Sequence, residues 1–282
     1  MTAPVHATLA ALSTVHVGQS AVLLLSPGGV LVPVTSSARG LVPGGICLPV
    51  DADYAVFAAV AGQHALLDLR DWSPLLGRTP RTSLVVQQGP VDATAAEGLE
   101  AAALIPVAPE RSSTVTPAPG GPMDPHPVRR RARLLVRLAG AGAVPSVRRF
   151  LVGLVGVGPG STPTGDDVVV GALAGLDRRG DGPALAAAGL LRAALPELLD
   201  RTTTLSRHDL QAALDGEVAE RVHHLLTAVG DRRRVPAAVR AAHAWGASSG
   251  LDLAVGVAAG ALGPTRAVRP FAPQTRTLRR SA

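Results

Sequence analysis

The chain has 282 residues, of which 47% are hydrophobic but only 2% aromatic, so it can bury a sizeable core built from Leu, Val and Ala, and its length suggests two domains. The formal net charge is +6, and all 27 basic residues are Arg, which excludes a P-loop that needs its Lys and Schiff-base chemistry that needs a Lys amine. Cys47 is the only cysteine, so a disulfide framework and a cysteine zinc site are both excluded, and a reducing cytoplasm is the expected compartment.

The N-terminal start lacks a basic region followed by a clean apolar segment, and no apolar run reaches the ~18 residues of a membrane span. The first third then reads mostly as strand. Residues 21–25 and 30–34 flank Ser-Pro-Gly-Gly, a hairpin signal. Residues 46–50, 64–69 and 84–87 continue that character, and Gly44-Gly45 marks a turn. The Ala-rich stretch 92–103 reads as helix.

Residues 106–128 contain seven prolines with Gly and Ser between them. Such a stretch cannot continue a helix or a central strand, so it is read as a linker. The expected organisation is a β-rich domain over 1–105, the linker over 106–128, and a helical domain over 129–282, giving an α+β fold. Apolar residues recur at helical spacing in 130–139, 146–154, 184–195, 207–214, 217–229 and 236–245.

The densest motif is Gly156-Val-Gly-Pro-Gly-Ser-Thr-Pro-Thr-Gly-Asp-Asp167. Glycines let the backbone approach a ligand, prolines stiffen the loop, and the apolar run VVVGALAGL follows at once. The loop should therefore empty into a helix N-terminus, where unpaired N–H groups and the helix dipole favour an anion. Part of the motif recurs. Thr164-Gly-Asp-Asp167 precedes Gly171 and Gly175, while Ser249-Gly-Leu-Asp252 precedes Gly256 and Gly260. Glycines four apart lie on one helical face, so the two helices are expected to pack together with their N-termini near one site.

Two readings stand for the acidic residues. Thr164 with Asp167, Ser249 with Asp252 and Ser206 with Asp209 each fit a capping box. Asp166 is not needed for a cap, so it is the sharper candidate for binding a metal, a cation or a donor-rich group. Arg201-Thr-Thr-Thr-Leu-Ser206 could bind a carboxylate or phosphate, or form only a capped turn with a surface Arg. His208, His223, His224 and His243 lack metal spacing and read as structural. Arg residues are scattered apart from the short runs 129–131 and 232–234, and Trp245 has no aromatic platform around it. Small-molecule binding is therefore expected before nucleic-acid binding.

The strings GVGPGSTPTGDDVVVGALAGL, RTTTLSRHDLQAALDGE and GASSGLDLAVGVAAG resemble the AllH-like family. The resemblance is strong in the C-terminal half and weaker in the first, through VHATL and VPGGICLPV at 42–50. That family includes a subunit of oxamate carbamoyltransferase, which acts in allantoin breakdown and moves a carbamoyl group between phosphate and oxamate. The resemblance implies a carbamoyl- or acyl-transferase subunit working with an FdrA-like, acyl-CoA-synthetase-like subunit and a further uncharacterised one.

Carried onto this sequence, it implies a site of Gly158, Gly160, Thr162, Gly165, Asp166, Asp167, Thr202, Thr203, Ser206, Ser249, Gly250 and Asp252, with Arg201 and Ser248 beside them. Asp166 and Asp167 are the candidate catalytic groups, and Asp166 could hold a Mg²⁺ on the phosphate. Relatives often carry a His before Ser-Ser-Gly, where this chain has Ala247. Two other readings remain: a Mg²⁺-dependent small-molecule kinase or phosphohydrolase, and a non-catalytic scaffold that binds a small anion.

Overall fold

The computed structural model describes residues 11–19, 21–48, 50–72, 84–104, 126–246 and 248–264. Most of the Pro-rich stretch, and Ala247, lie outside them. The N-terminal part is a five-stranded sheet made of β1 (Leu12–Val17), β2 (Ala21–Leu25), β3 (Leu31–Thr35), β4 (Ile46–Cys47) and β5 (Leu66–Leu67). The strand order is β4-β3-β2-β1-β5, antiparallel except for the β3–β4 pair. The expected hairpin forms as β2–β3, closed by Ser26 N–H to Val30 O and by Gly29 with φ 77°.

Helix α1 (Asp51–Gln63) covers one face of this sheet. Tyr54, Phe57 and Ala61 pack with Val22, Leu24, Val32 and Val34 in one buried cluster. Neither β1 nor α1 is picked out by the sequence pattern. β1 exposes most of its residues and shifts register between Thr14 and His16, so its alternation is blurred. α1 is Ala-rich, but its three buried residues do recur at three- and four-residue spacing, which was the available signal.

Residues 84–87 do not form a strand. Val85 makes a single bridge to Glu217, and this segment lies along the helices. Val86 N–H bonds to Gly216 O, Gly89 N–H to Arg178 O, and Asp92 N–H to Val229 O. Helix α2 (Ala93–Ala103) follows, N-capped by Asp92, and buries Ala96, Leu99 and Ala103 in the helical core.

The helical part continues with α3 (His126–Gly140), α4 (Val144–Val152), α5 (Thr164–Arg179), α6 (Gly182–Ala194), α7 (Thr204–Leu214), α8 (Glu220–Ala228), α9 (Val235–His243) and α10 (Ser249–Leu262). The chain is thus α+β, with an N-terminal sheet and C-terminal helices. Among the described residues no helix is long and apolar enough to cross a membrane.

Two buried helices, α5 and α10, form the centre and pack chiefly on each other. They run parallel, because Gly171 meets residues 253–257 and Gly175 meets residues 257–261. The contact is reciprocal. A Cβ on Gly171 would lie 2.4 Å from Leu253 O, and one on Gly256 would lie 2.4 Å from Val168 O. Gly175 faces Val257 O and Gly260 faces Ala172 O at 2.3 Å each. No side chain fits there, so the backbones touch, and the paired starts of α5 and α10 are held at one end of the bundle.

This geometry sets the sign of glycine substitutions. Alanine ordinarily stabilises a helix by about 1 kcal/mol over glycine. In Gly171→Ala or Gly256→Ala the new methyl meets a carbonyl of the facing helix that cannot move aside, so a net loss of about 2 kcal/mol or more is expected. Gly189→Ala, where a Cβ meets nothing within 4 Å, should be neutral or stabilising. Thermal unfolding of the three variants distinguishes them, and an unchanged midpoint in the first two contradicts this packing.

Candidate active site

Of the loop expected at 156–167, residues 156–163 form the loop and 164–167 are already the first turn of α5, so the loop opens a helix as the sequence predicts. It takes a left-handed backbone at Gly156 (φ 77°), Gly158 (φ 128°) and Gly160 (φ 89°). Gly156 also packs so closely on Arg201 that a Cβ would stand 2.3 Å from its carbonyl oxygen. Around Gly160 the space is open.

Asp166 ties this loop to the rest of the fold. Its side chain is fully buried, and Oδ1 accepts from Gly156 N–H at 2.8 Å. Oδ2 accepts from Ser206 Oγ at 2.7 Å and from the Thr202 hydroxyl. A buried carboxylate needs such donors, and here the glycine-rich loop and the 202–206 stretch supply them. Both oxygens are committed, so a Mg²⁺ at Asp166 would have to displace protein donors. Among the described residues no group of three His, Cys, Asp or Glu side chains is placed to hold a metal.

Asp167 lies in a different environment. It is 6% exposed, and its Oδ2 has no hydrogen-bond partner. Burial, and next the charge of Asp252, push its carboxyl well above the usual carboxylate range, while Ser249 and Thr162 pull the other way. Thr164, three residues earlier on the same helical face, is 1% exposed and its Oγ1 also lacks a partner. Across the helix pair, Thr162 Oγ1 and Ser249 Oγ are 2.7 Å apart, which joins the starts of α5 and α10. Asp252 is fully buried beside them.

The three capping boxes do not form. α5 is N-capped by Pro163 and α10 by Ser248, neither with a side-chain cap bond, and α7 is capped by Thr203, which accepts from Ser206 N–H. Helix α5 starts at Thr164 itself, so the N-cap is Pro163, which has no N–H for a capping box to close on.

The remaining predicted residues divide by role. Thr203 also donates to Ser161 O. Gly165 and Gly250 are packing glycines, whose Cβ atoms would lie 1.9 Å from Leu154 O and 2.1 Å from Ala242 O. Gly158 lies over the start of α5, its Cβ position 2.5 Å from Thr164 N. Arg201 is exposed and reaches Val152 O at 3.4 Å, at the end of α4, rather than the carboxylates. Ser248 is half-buried at the start of α10.

Several residues near the site are absent from the sequence expectation. Asp209 lies one turn beyond Ser206, and burial raises its carboxyl even though His208 and Arg39 act to lower it. The 38–43 loop of the N-terminal part docks here. Glu220 accepts from Leu41 N–H and returns its own N–H to Leu41 O, both at 2.9 Å. His208 bonds Pro43 O at 2.8 Å, and Arg221 donates to the carbonyls of Ala38 and Arg39. The Arg221 guanidinium lies 5.3 Å from the centre of the Trp245 ring, and burial, then Arg39, depress its pKa to about 10. Only the VPGGICLPV stretch gave a hint of this docking, and nothing in it names a partner.

The two adjacent aspartates should respond differently to mutation. Asp166→Ala strands three donors, the Ser206 hydroxyl buried and those of Gly156 and Thr202 half-buried, and should cost roughly 2–4 kcal/mol. For Asp167 the sign is reversed. Its folded pKa is raised, so its contribution is fully present below the ordinary carboxylate pKa and is lost as pH rises through the folded value. Wild type should therefore lose stability as pH rises above the ordinary carboxylate range, and Asp167→Asn should flatten that slope and match or exceed wild type at the upper end. Melting curves over this rise in pH test both; a steep wild-type slope preserved in Asp167→Asn contradicts the assignment.

Residues 154–261 match the family described as oxamate carbamoyltransferase subunit AllH. The match begins at the turn leading into the loop and ends in the last turn of α10, so it contains the whole helix pair and the carboxylate cluster. No curated protein and no solved structure matches the chain. Over residues 154–261, which is less than half of its length, the chain is similar to that family.

Proposed function

We propose that this chain is a subunit of a carbamoyltransferase-type enzyme similar to oxamate carbamoyltransferase, and that the paired starts of α5 and α10 bind the carbamoyl or acyl phosphate or a related small anion. The observation that carries this reading is the pair of buried, unpartnered atoms Thr164 Oγ1 and Asp167 Oδ2. Buried polar atoms in a folded protein are almost always hydrogen-bonded, so two without partners on one helical turn suit a ligand. A carbamoyl group offers an N–H donor and a carbonyl acceptor side by side.

In this reading the conditions that favour a protonated Asp167 let its carboxyl donate to the carbonyl oxygen as the tetrahedral centre gains charge. The two parallel helix dipoles and the loop N–H groups add to that stabilisation. The carbon–oxygen bond to phosphate breaks with its electron pair leaving on the phosphate, the acceptor nitrogen bonds to the carbonyl carbon, and the proton lost from nitrogen passes to the departing phosphate. Asp166 acts by position: it holds the loop against Thr202 and Ser206 so that these donors are aligned before the ligand arrives. The word subunit in the family's description supports protein partners; in this reading they are an FdrA-like subunit and a further uncharacterised subunit.

The test is transfer of a carbamoyl group between phosphate and oxamate, followed as phosphate-dependent breakdown of oxalurate, with the chain purified together with the products of its neighbouring genes. Asp167→Asn and Thr164→Val should each lower turnover, the first by about 10²-fold or more, without lowering the melting temperature. Wild-type turnover in Asp167→Asn would sink the proposal.

A further inference from the structure

A second concave feature shares no lining residue with the carboxylate cluster. A cavity of about 440 Å³ opens between α3 and α4, lined by Arg131, Leu138, Ser146, Arg149, Phe150 and Gly153. Its walls carry two guanidiniums, one hydroxyl and one aromatic ring, and no carboxylate.

Eight of the seventeen arginines whose side chains are described pair with an acid, and the two on this wall are not among them. Arg133, Arg148, Arg179, Arg192 and Arg207 each pair with an acid. Among the described residues neither Arg131 nor Arg149 does. Arg148 takes Glu197, so an acid is at hand for one residue and not for its neighbour. Capping of the α4 C-terminus explains part of the cluster. Arg131 donates to Gly153 O and Arg201 to Val152 O, each at 3.4 Å. It does not explain Arg149, which is exposed and whose guanidinium makes no hydrogen bond or ion pair among the described residues. Two uncompensated guanidiniums on one cavity wall repel, and a bound anion relieves that repulsion.

We propose that this cavity binds a small organic phosphate, its phosphate taken by Arg131 and Arg149 and its carbon portion resting on Phe150 and Leu138. Two cations match a dianionic phosphate better than a single carboxylate, and the planar guanidinium fork fits phosphate oxygens in pairs. The volume is in the range of small-molecule sites and exceeds what a bare phosphate fills. The ring and the Leu138 side chain give the surplus volume an apolar wall. This inference is independent of the transferase reading, because it uses none of the residues assigned there.

The full chain is titrated with AMP, ribose 5-phosphate, inorganic phosphate and adenosine, with calorimetry and thermal shift as readouts. At least one organic phosphate should bind and raise the melting temperature, at least tenfold more tightly than inorganic phosphate, with adenosine weaker still. Arg149→Ala should weaken that binding tenfold or more. Arg149→Lys should recover part of it, and Phe150→Leu should weaken the organic phosphate but not inorganic phosphate. Arg149 is exposed, so its variants should melt as wild type does without ligand. Three results overturn the proposal: no binding of either organic phosphate, equal binding of inorganic phosphate (an adventitious anion only), or binding unchanged in Arg149→Ala.

Discussion

The close parallel contact of α5 and α10 is the constraint on which the rest of the structure depends. Gly171, Gly175, Gly256 and Gly260 let the two backbones meet without side chains between them. Helices that approach this closely cannot slide or rotate without a backbone clash. Their first turns are therefore fixed relative to each other, and residues far apart in sequence become neighbours. The bridge between Thr162 and Ser249 is one consequence. The other is the close placing of Asp167 and Asp252, both buried, at the positive ends of two helix dipoles.

That arrangement gives two adjacent carboxylates different surroundings. Asp166 turns toward the loop and is satisfied by donors from Gly156, Thr202 and Ser206. Asp167 turns toward the helix pair, where burial and a neighbouring acid favour its protonated form. One residue of helical rotation, about 100°, is enough to make this difference. A buried charge with full hydrogen bonding stiffens the loop around it, while a buried carboxyl with an unpartnered oxygen destabilises the fold and keeps binding capacity. A strain of this second kind is typical of sites that gain a partner only on binding.

The N-terminal sheet meets the helices through the loop that follows β3. Glu220, Arg221 and His208 fasten its backbone, so Arg39 lies beside Asp209 and Arg221 near the carboxylate cluster. The sheet is thus part of the surroundings of the cluster although its own core, with Phe57 and Leu24, is separate. Arg221 loses much of its hydration in this seam and is compensated by two carbonyls and the face of Trp245.

By itself the sequence determined the α+β class, the β2–β3 hairpin, the helical periods of the C-terminal half and the glycine-rich loop opening a helix. Each follows from local chemistry: spacing of apolar residues, turn residues, and glycine where φ is positive. The internal echo even gave the α5–α10 pairing, because glycines four apart leave a groove that only another backbone fills. Only the tertiary structure decided which acid does what. Thr164 and Asp167 satisfy the sequence rule for a capping box, yet Thr164 is inside the helix and Pro163 caps it. The donors that hold Asp166, and the second acid that raises Asp167, arrive from distant segments, and no local pattern encodes a contact of that kind. The same holds for the seam at Arg39 and for the cavity at Arg149, where the decisive fact is which charges lack a partner in space.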